Sequence, residues 1–96
     1  MLDATQISQT LRALKPELCA RFHVARIDFF GSHATGHATP SSDVDVLVEF
    51  EQAPGWDFFD LQDLLVEKLG APVDLVSVEA LKPRLRDGIL QQTQFV

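Results

Sequence analysis

Cysteine is nearly absent from this 96-residue sequence: Cys19 is the only one, so no internal disulfide bond can form. Long apolar runs are also lacking, and none approaches the roughly 20 residues that cross a bilayer. The Met-Leu-Asp start has neither the basic nor the apolar region of a signal peptide. These absences predict a cytoplasmic protein that does not enter a membrane.

Basic residues are scarce. The chain has 8 Lys and Arg residues against 14 Asp and Glu residues, which gives a formal net charge of -6. This is the wrong sign for neutralising a phosphate backbone, so direct binding of DNA or RNA is not expected. An excess of carboxylates suits either a divalent cation site or a surface that meets a basic protein, and composition does not choose between them.

Internal repeats and interdomain linkers are absent as well, which predicts that residues 1–96 form a single domain. A chain of this length has room for one small hydrophobic core. Because a core of this size leaves little net stability, we expect the surface of a partner protein to complete it.

The spacing of apolar residues predicts the element order helix, strand, strand, helix, strand, helix. The first helix is capped by Thr5 or Asp3, and its apolar face carries Ile7, Leu11, Leu14 and Leu18. Pro16 predicts that this helix is kinked or divided into two short helices.

Residues 24–30 and 43–50 are typical of strands, since β-branched and aromatic side chains alternate along them. A second helix ends before Gly70, residues 73–78 form a third strand, and Pro83 opens a last helix with Leu85 and Ile89 facing inward. We therefore expect an α/β (α+β) fold, with a small mixed sheet of about three strands and helices packed on it.

Three acidic residues lie on the predicted strands. Asp43 and Asp45 are two residues apart, so both carboxylates project from one face, about 7 Å apart along the backbone. Asp74 repeats the pattern on the third strand, where a solvated carboxylate at the strand end is the competing interpretation and the apolar VDLV context favours metal binding. Carboxylate oxygens are the ligands that Mg²⁺ and Mn²⁺ prefer, and paired ions of this kind serve phosphoryl chemistry.

A turn-rich segment joins the first two strands and begins with Gly31 and Ser32. Glycine lets a backbone approach a ligand closely, and Ser32 offers a hydroxyl and an amide to a phosphate group. Taken alone, a Gly-Ser pair is most often an ordinary turn. Its position beside the acidic strand favours a nucleotide site.

These residues together resemble the nucleotidyltransferase superfamily of DNA polymerase β, whose signature is Gly-Ser, ten residues, Asp-x-Asp, and a later acidic residue. The matching segments are GSHATGHATPSSDVDVLVEF and PVDLVSV. The resemblance implies a palm-like fold in which Gly31, Ser32 and Ser42 bind the nucleotide. It also implies that Asp43 and Asp45 bind two metal ions, and that Asp74 completes the catalytic metal site and helps to deprotonate the acceptor hydroxyl.

Nearly the whole chain, including the segment LKPRLRDGIL, is similar to the minimal nucleotidyltransferases. Many members of that group are encoded beside a HEPN-domain protein. This similarity implies an enzyme that uses ATP with Mg²⁺ or Mn²⁺, transfers AMP to a tyrosine hydroxyl of a HEPN-domain toxin, and so acts as the antitoxin of a type VII-like toxin-antitoxin pair.

One residue departs from the pattern of that group. The family often reads Gly-Ser-x-Ala-Arg-Gly, whereas this chain has Thr35 between Ala34 and Gly36. A hydroxyl does not replace a bidentate guanidinium, so weaker nucleotide binding is expected. Two alternatives therefore stay open, namely a catalytically weak or inactive antitoxin that neutralises its partner by binding alone, and an adenylyltransferase that acts on a small molecule.

Two further groups of side chains have simpler interpretations. His33 and His37 lie in turn-rich surroundings, which favours a surface or loop role over metal ligation. Trp56, Phe58 and Phe59 are interpreted as core or interface residues, because no basic groove accompanies them to bind a stacked nucleic acid.

Overall fold

The computed structural model describes residues 2–39, 42–81, 87–89, 91 and 93–96. Its elements are α1 (Ala4–Phe22), β1 (Val24–Phe30), the short α2 (Ser32–Thr35), β2 (Val44–Phe50), α3 (Asp57–Leu69), β3 (Val73–Ser77), a 3-10 turn (Val78–Ala80) and β4 (Gln94–Phe95). Residues 87–89 are also helical, whereas Pro83 and Leu85 of the predicted last helix lie outside the described residues.

Helix α1 begins with a capping box. The Asp3 carboxylate accepts the backbone N–H of Gln6, and the Gln6 side chain accepts the backbone N–H of Asp3. The cap is therefore Asp3 and not Thr5. This exchange satisfies amide groups that the first turn of a helix otherwise leaves without partners.

Pro16 does not divide α1, so the prediction of two short helices was wrong. A proline removes one hydrogen bond of the helical ladder and strains the preceding turn. The loss is offset because Leu11 and Leu18, on either side of Pro16, are both completely buried in the core. Packing of the apolar face on both sides of the proline keeps the helix continuous.

The strands form one mixed sheet in the order β3-β2-β1-β4. Strand β1 is antiparallel to both β2 and β4, and β2 runs parallel to β3. The predicted mixed sheet of about three strands is confirmed. The structure adds β4, which the sequence did not predict because a strand of two residues is too short to show an alternating pattern.

One face of the sheet is covered by helices and the other carries the acidic residues. Helix α1 contacts β1, α3 contacts β3, and the two helices contact each other. The covered face contributes to a single buried cluster, whose strand residues are Val24, Ile27, Phe29, Val44, Val46, Val48, Phe50, Val73 and Leu75. Strict alternation along β2 then assigns Asp45, Leu47 and Glu49 to the opposite face.

Strand β4 is attached through a buried carboxylate on β1. Asp28, 5% exposed, accepts the backbone N–H of Val96 at 2.9 Å and lies 3.4 Å from the guanidinium of Arg26. The Val96 carbonyl in turn accepts the ammonium group of Lys15 on α1 at 2.6 Å. The last described residues are thus held to both the sheet and the first helix. Within the described part of the chain, no helix has the length and apolar composition to cross a membrane.

We predict that Asp28→Ala lowers the free energy of unfolding by about 1 to 3 kcal/mol, because the N–H of Val96 then loses its acceptor in a partly buried place. Asp28→Asn is the matched control, since its amide oxygen still accepts that N–H. Urea denaturation measures both variants. Equal stability of Asp28→Ala and the wild type would contradict the attachment.

Candidate functional site

The backbone register brings two of the predicted site residues side by side. Asp45 on β2 is paired with Asp74 on the parallel strand β3, and with Phe30 on the antiparallel strand β1. Paired residues on neighbouring strands project from the same face of a sheet. The row Phe30, Asp45, Asp74 therefore crosses the open face of the sheet at the end where β2 and β3 begin.

Asp43 precedes β2 and completes the acidic group. Burial raises the pKa of the Asp45 carboxyl, and the negative charges of Asp74 and Asp43 raise it further, while the charge of His33 acts in the opposite direction. Asp43 and Asp74 are exposed, and Asp45 is half-buried. The three carboxylates thus act on one another electrostatically, with Asp45 at the centre.

Gly31 lies directly against this central carboxylate. A Cβ atom at residue 31 would lie 3.2 Å from Cγ of Asp45 and in collision with its Oδ2. The residue also has a φ of 74°, a conformation that side chains disfavour. Only glycine therefore allows the turn after β1 to approach Asp45 so closely, and this contact joins the Gly-Ser turn to the acidic strands.

Thr35 closes the same turn. Its hydroxyl donates to the carbonyl of Gly31 at 3.1 Å, and this carbonyl also accepts the backbone N–H groups of Ala34 and Thr35. Nδ1 of His37 lies 3.0 Å from the Thr35 hydroxyl. Thr35, which departs from the family pattern, thus has a structural role: its hydrogen bond fixes the Gly31 carbonyl in the direction of α2.

The two serines occupy different parts of the loop. Ser32 is the first residue of α2, is half-buried, and follows Gly31 directly. Ser42 is bound to Thr39, with the Thr39 N–H donating to Oγ of Ser42 at 2.9 Å. Ser32 is therefore placed beside the acidic group through Gly31, whereas the contacts of Ser42 serve the loop that leads into β2.

His33 differs from the expectation for it. The sequence favoured a surface or loop role, but the imidazole is 6% exposed within α2, and its Nδ1 is buried without a hydrogen-bond partner. His37 is exposed as expected. The turn-rich composition around His33 gives no indication of this burial.

The donor set matches the chemistry of a divalent cation. Three carboxylates supply hard oxygen ligands, and their mutual repulsion at Asp45 is what a cation would relieve. Among the residues that the structure describes, however, no group of three His, Cys, Asp or Glu side chains is arranged to hold a metal ion.

We predict that Asp45→Asn makes the metal-free protein more stable at neutral pH. A raised pKa means that the folded state binds the Asp45 proton more tightly than the unfolded state, so ionisation at neutral pH costs folding free energy. The gain should shrink as the pH falls through about 4 and disappear near about pH 3, where the carboxyl is protonated in both states.

Thermal unfolding in EDTA between pH 3 and pH 8 measures this difference. Glu49→Gln, on the same face of β2, is the control for a general loss of negative charge. An Asp45→Asn protein that is less stable than the wild type at pH 7 would show that the carboxylate is not under electrostatic strain.

Comparison with known proteins identifies the family of this chain. A family model described as the nucleotidyltransferase domain matches residues 11–96. The protein adenylyltransferase MntA of Thermococcus cleftensis is 40% identical over 97 residues, covering 100% of this chain and 98% of that protein.

Solved structures show the same relationship. A structure described as a candidate minimal nucleotidyltransferase superposes with a TM-score of 0.83 at 36% identity, covering 99% of this chain and 97% of that one. A mutant of the toxin-antitoxin pair MntA-HpeT superposes with a TM-score of 0.68 at 25% identity, covering 100% of this chain and 72% of that one. This chain belongs to the nucleotidyltransferase domain family, in its minimal nucleotidyltransferase branch, and is a nucleotidyltransferase.

Proposed function

We propose that this chain is the antitoxin of a toxin-antitoxin pair and transfers AMP from ATP to a tyrosine hydroxyl of a HEPN-domain toxin. The observation that carries the proposal is the contact between Gly31 and the Asp45 carboxylate, which places the Gly-Ser turn beside Asp43 and Asp74. Two relatives support it: one that is 40% identical is named a protein adenylyltransferase, and one that is 25% identical belongs to a structure of a toxin-antitoxin pair.

In this reaction the acceptor oxygen attacks the α-phosphorus of ATP, a new P–O bond forms, and the bond to the bridging oxygen breaks to release pyrophosphate. The backbone and hydroxyl at Gly31 and Ser32 bind the phosphate groups, with Ser42 at the end of the same loop. Asp74, exposed and paired with Asp45, receives the proton of the acceptor hydroxyl.

Mg²⁺ or Mn²⁺ is the cofactor that the three carboxylates fit. Asp43, Asp45 and Asp74 would hold it, and when bound it neutralises charge that develops on the phosphate oxygens. Without the cation, burial raises the pKa of the Asp45 carboxyl, and the negative charges of Asp74 and Asp43 raise it further. Cation and nucleotide are therefore expected to bind together, because each supplies charge of the sign that the other lacks.

The proposal is tested with a HEPN-domain protein, the proposed acceptor of AMP. The two purified proteins are incubated with ATP and Mg²⁺, and intact-protein mass spectrometry measures the HEPN-domain protein. We expect a mass increase of one or more AMP groups on tyrosine with the wild type and none with Asp45→Asn. Inhibition of the toxin without any mass increase would replace transfer with binding alone, and a modified small molecule would replace the protein acceptor.

Asp74→Asn should lower turnover by about 100-fold or more, because the amide keeps the shape of the side chain but neither accepts the proton nor holds a cation. Asp74 is exposed, so the unfolding free energy should change by less than about 0.5 kcal/mol. Parallel measurements of AMP transfer and urea denaturation separate the two quantities. A loss of activity matched by an equal loss of stability would assign Asp74 a structural role.

Gly31→Ala and Gly36→Ala form a matched pair for testing the close approach. Both glycines have positive φ, 74° and 80°, so both variants should lose about 1 kcal/mol or more of stability. Only at residue 31 does the added methyl group meet Asp45, whereas nothing lies within 4 Å at residue 36. We expect AMP transfer to be lost in Gly31→Ala alone. Equal activity of the two variants would contradict a site built on this contact.

A further inference from the structure

The N-terminal end of α3 carries an exposed aromatic cluster, which we call the α3 patch and define by Trp56, Phe58 and Phe59. Trp56 is 85% exposed and Phe59 is 58% exposed, so these two residues are not part of the core, while Phe58 is half-buried. Aromatic residues with this degree of exposure are uncommon on a solvated surface and are enriched at protein interfaces.

The rings are held in place by contacts with one another. The Trp56 and Phe59 centroids are 6.2 Å apart, and Phe59 meets Phe58 edge-on at 5.9 Å. Phe58 lies 6.3 Å from Phe50, which is buried at the end of β2. The exposed rings are thus connected to the core, and a partner that binds them has little side-chain freedom to restrict.

A small cleft adjoins the patch at Phe50. It has a volume of about 190 Å³ and is lined by Phe50, Glu51, Gln52, Ala53, Pro54, Ser77 and Glu79. Its apolar floor and the carboxylates of Glu51 and Glu79 suit a side chain with an apolar stem and a cationic end. The cleft therefore adds to the patch a recess that fits a Lys or Arg side chain of a partner.

Every charged residue between Phe50 and Leu65, the segment that carries the patch, is acidic. Residues 27–67 contain no Lys or Arg. The exposed acidic residues nearest to the patch in the sequence are Glu51, Asp57, Asp60 and Asp63. Asp57 and Asp60 also stabilise the first turn of α3, but helix stability gives no reason for the exposed rings between them. An apolar centre within an acidic rim is complementary to a protein surface with an apolar centre and a basic rim.

The patch lies at the opposite end of β2 from the catalytic carboxylates. Phe50 follows Asp45 by five positions of extended strand, which corresponds to roughly 16 Å. The patch is therefore separate from the carboxylates, and its residues are not needed to bind the cation or the nucleotide. Docking and chemistry are carried by separate surfaces of the same small domain.

We infer that the α3 patch is the docking surface for the protein acceptor, and that this acceptor contacts it through an apolar surface rimmed by Lys and Arg. The inference rests on the proposed function, since it takes the acceptor to be the HEPN-domain protein. It adds the location of the interface and the charge of the partner.

The test measures binding separately from transfer. Titration calorimetry with the purified HEPN-domain protein compares the wild type with Trp56→Ala, Phe59→Ala and the double variant. Val66→Ala is the matched control, because Val66 is an exposed apolar residue of α3 outside the patch. We expect each patch variant to weaken binding by about 10-fold or more, as is usual for hot-spot residues of an interface. Val66→Ala should bind like the wild type. Circular dichroism checks that the variants fold.

Charge is tested on the same complex. Asp60→Lys should weaken binding, and Glu17→Lys, an exposed reversal on α1, should leave it unchanged. Wild-type affinity should fall as salt rises from 50 to 500 mM, because exposed charge pairs are screened. In steady-state transfer, Trp56→Ala should raise the KM for the protein acceptor and leave kcat and the KM for ATP unchanged.

The outcomes separate this inference from the proposed function. Asp45→Asn that binds normally but transfers no AMP supports both. A second outcome is that the wild type binds the HEPN-domain protein but transfers no AMP, and that Trp56→Ala loses the binding. This result supports the docking surface and refutes the proposed AMP transfer. A complex that the patch variants do not weaken overturns the docking surface, as does the lack of any complex with the wild type. A homodimer that Trp56→Ala dissociates would assign the patch to a second copy of this chain and overturn the inference.

Discussion

The pairing of Asp45 with Asp74 across two parallel strands is the interaction on which the site depends. Because β2 and β3 are parallel, both begin at the same end of the sheet, and the two carboxylates project from the same face. Asp43 lies just before β2, at the same end. Burial of Asp45, together with the negative charges of Asp74 and Asp43, makes its ionised form unfavourable in the folded state and raises its pKa. A protein retains a cost of this kind where function requires it, which is the pattern expected of a catalytic centre.

The sheet tolerates this negative charge because one of its faces supplies the stabilising core and the other face carries the carboxylates. Helices α1 and α3 cover one face, and the buried valines and leucines there supply the stabilisation. The other face is left to the carboxylates, to Gly31, and to the turn that Thr35 closes by its bond to the Gly31 carbonyl. Pro16 illustrates the strength of the packed face, because α1 continues through a residue that interrupts helices elsewhere.

Much of this arrangement could be predicted from the sequence, and the reasons are local. Alternation along β2 fixes the face of Asp45, and helical spacing fixes the buried side of α3, since both follow from backbone periodicity alone. The pairing of Asp45 with Asp74 required a register between strands 29 residues apart, which only family resemblance suggested. The contact between Gly31 and Asp45, the burial of His33 and the existence of β4 depend on packing between distant segments. Periodicity carries no information about those.

The central claim is that the three carboxylates and the Gly-Ser turn form one site for a cation and a nucleotide. The most direct measurement is a crystal structure of the protein with Mn²⁺ and a non-hydrolysable ATP analogue, with the ion located by its anomalous scattering. The account predicts an anomalous peak among the carboxylates of Asp43, Asp45 and Asp74, with the phosphate groups against Gly31 and Ser32. An ion bound elsewhere, or phosphate groups remote from that turn, would contradict it.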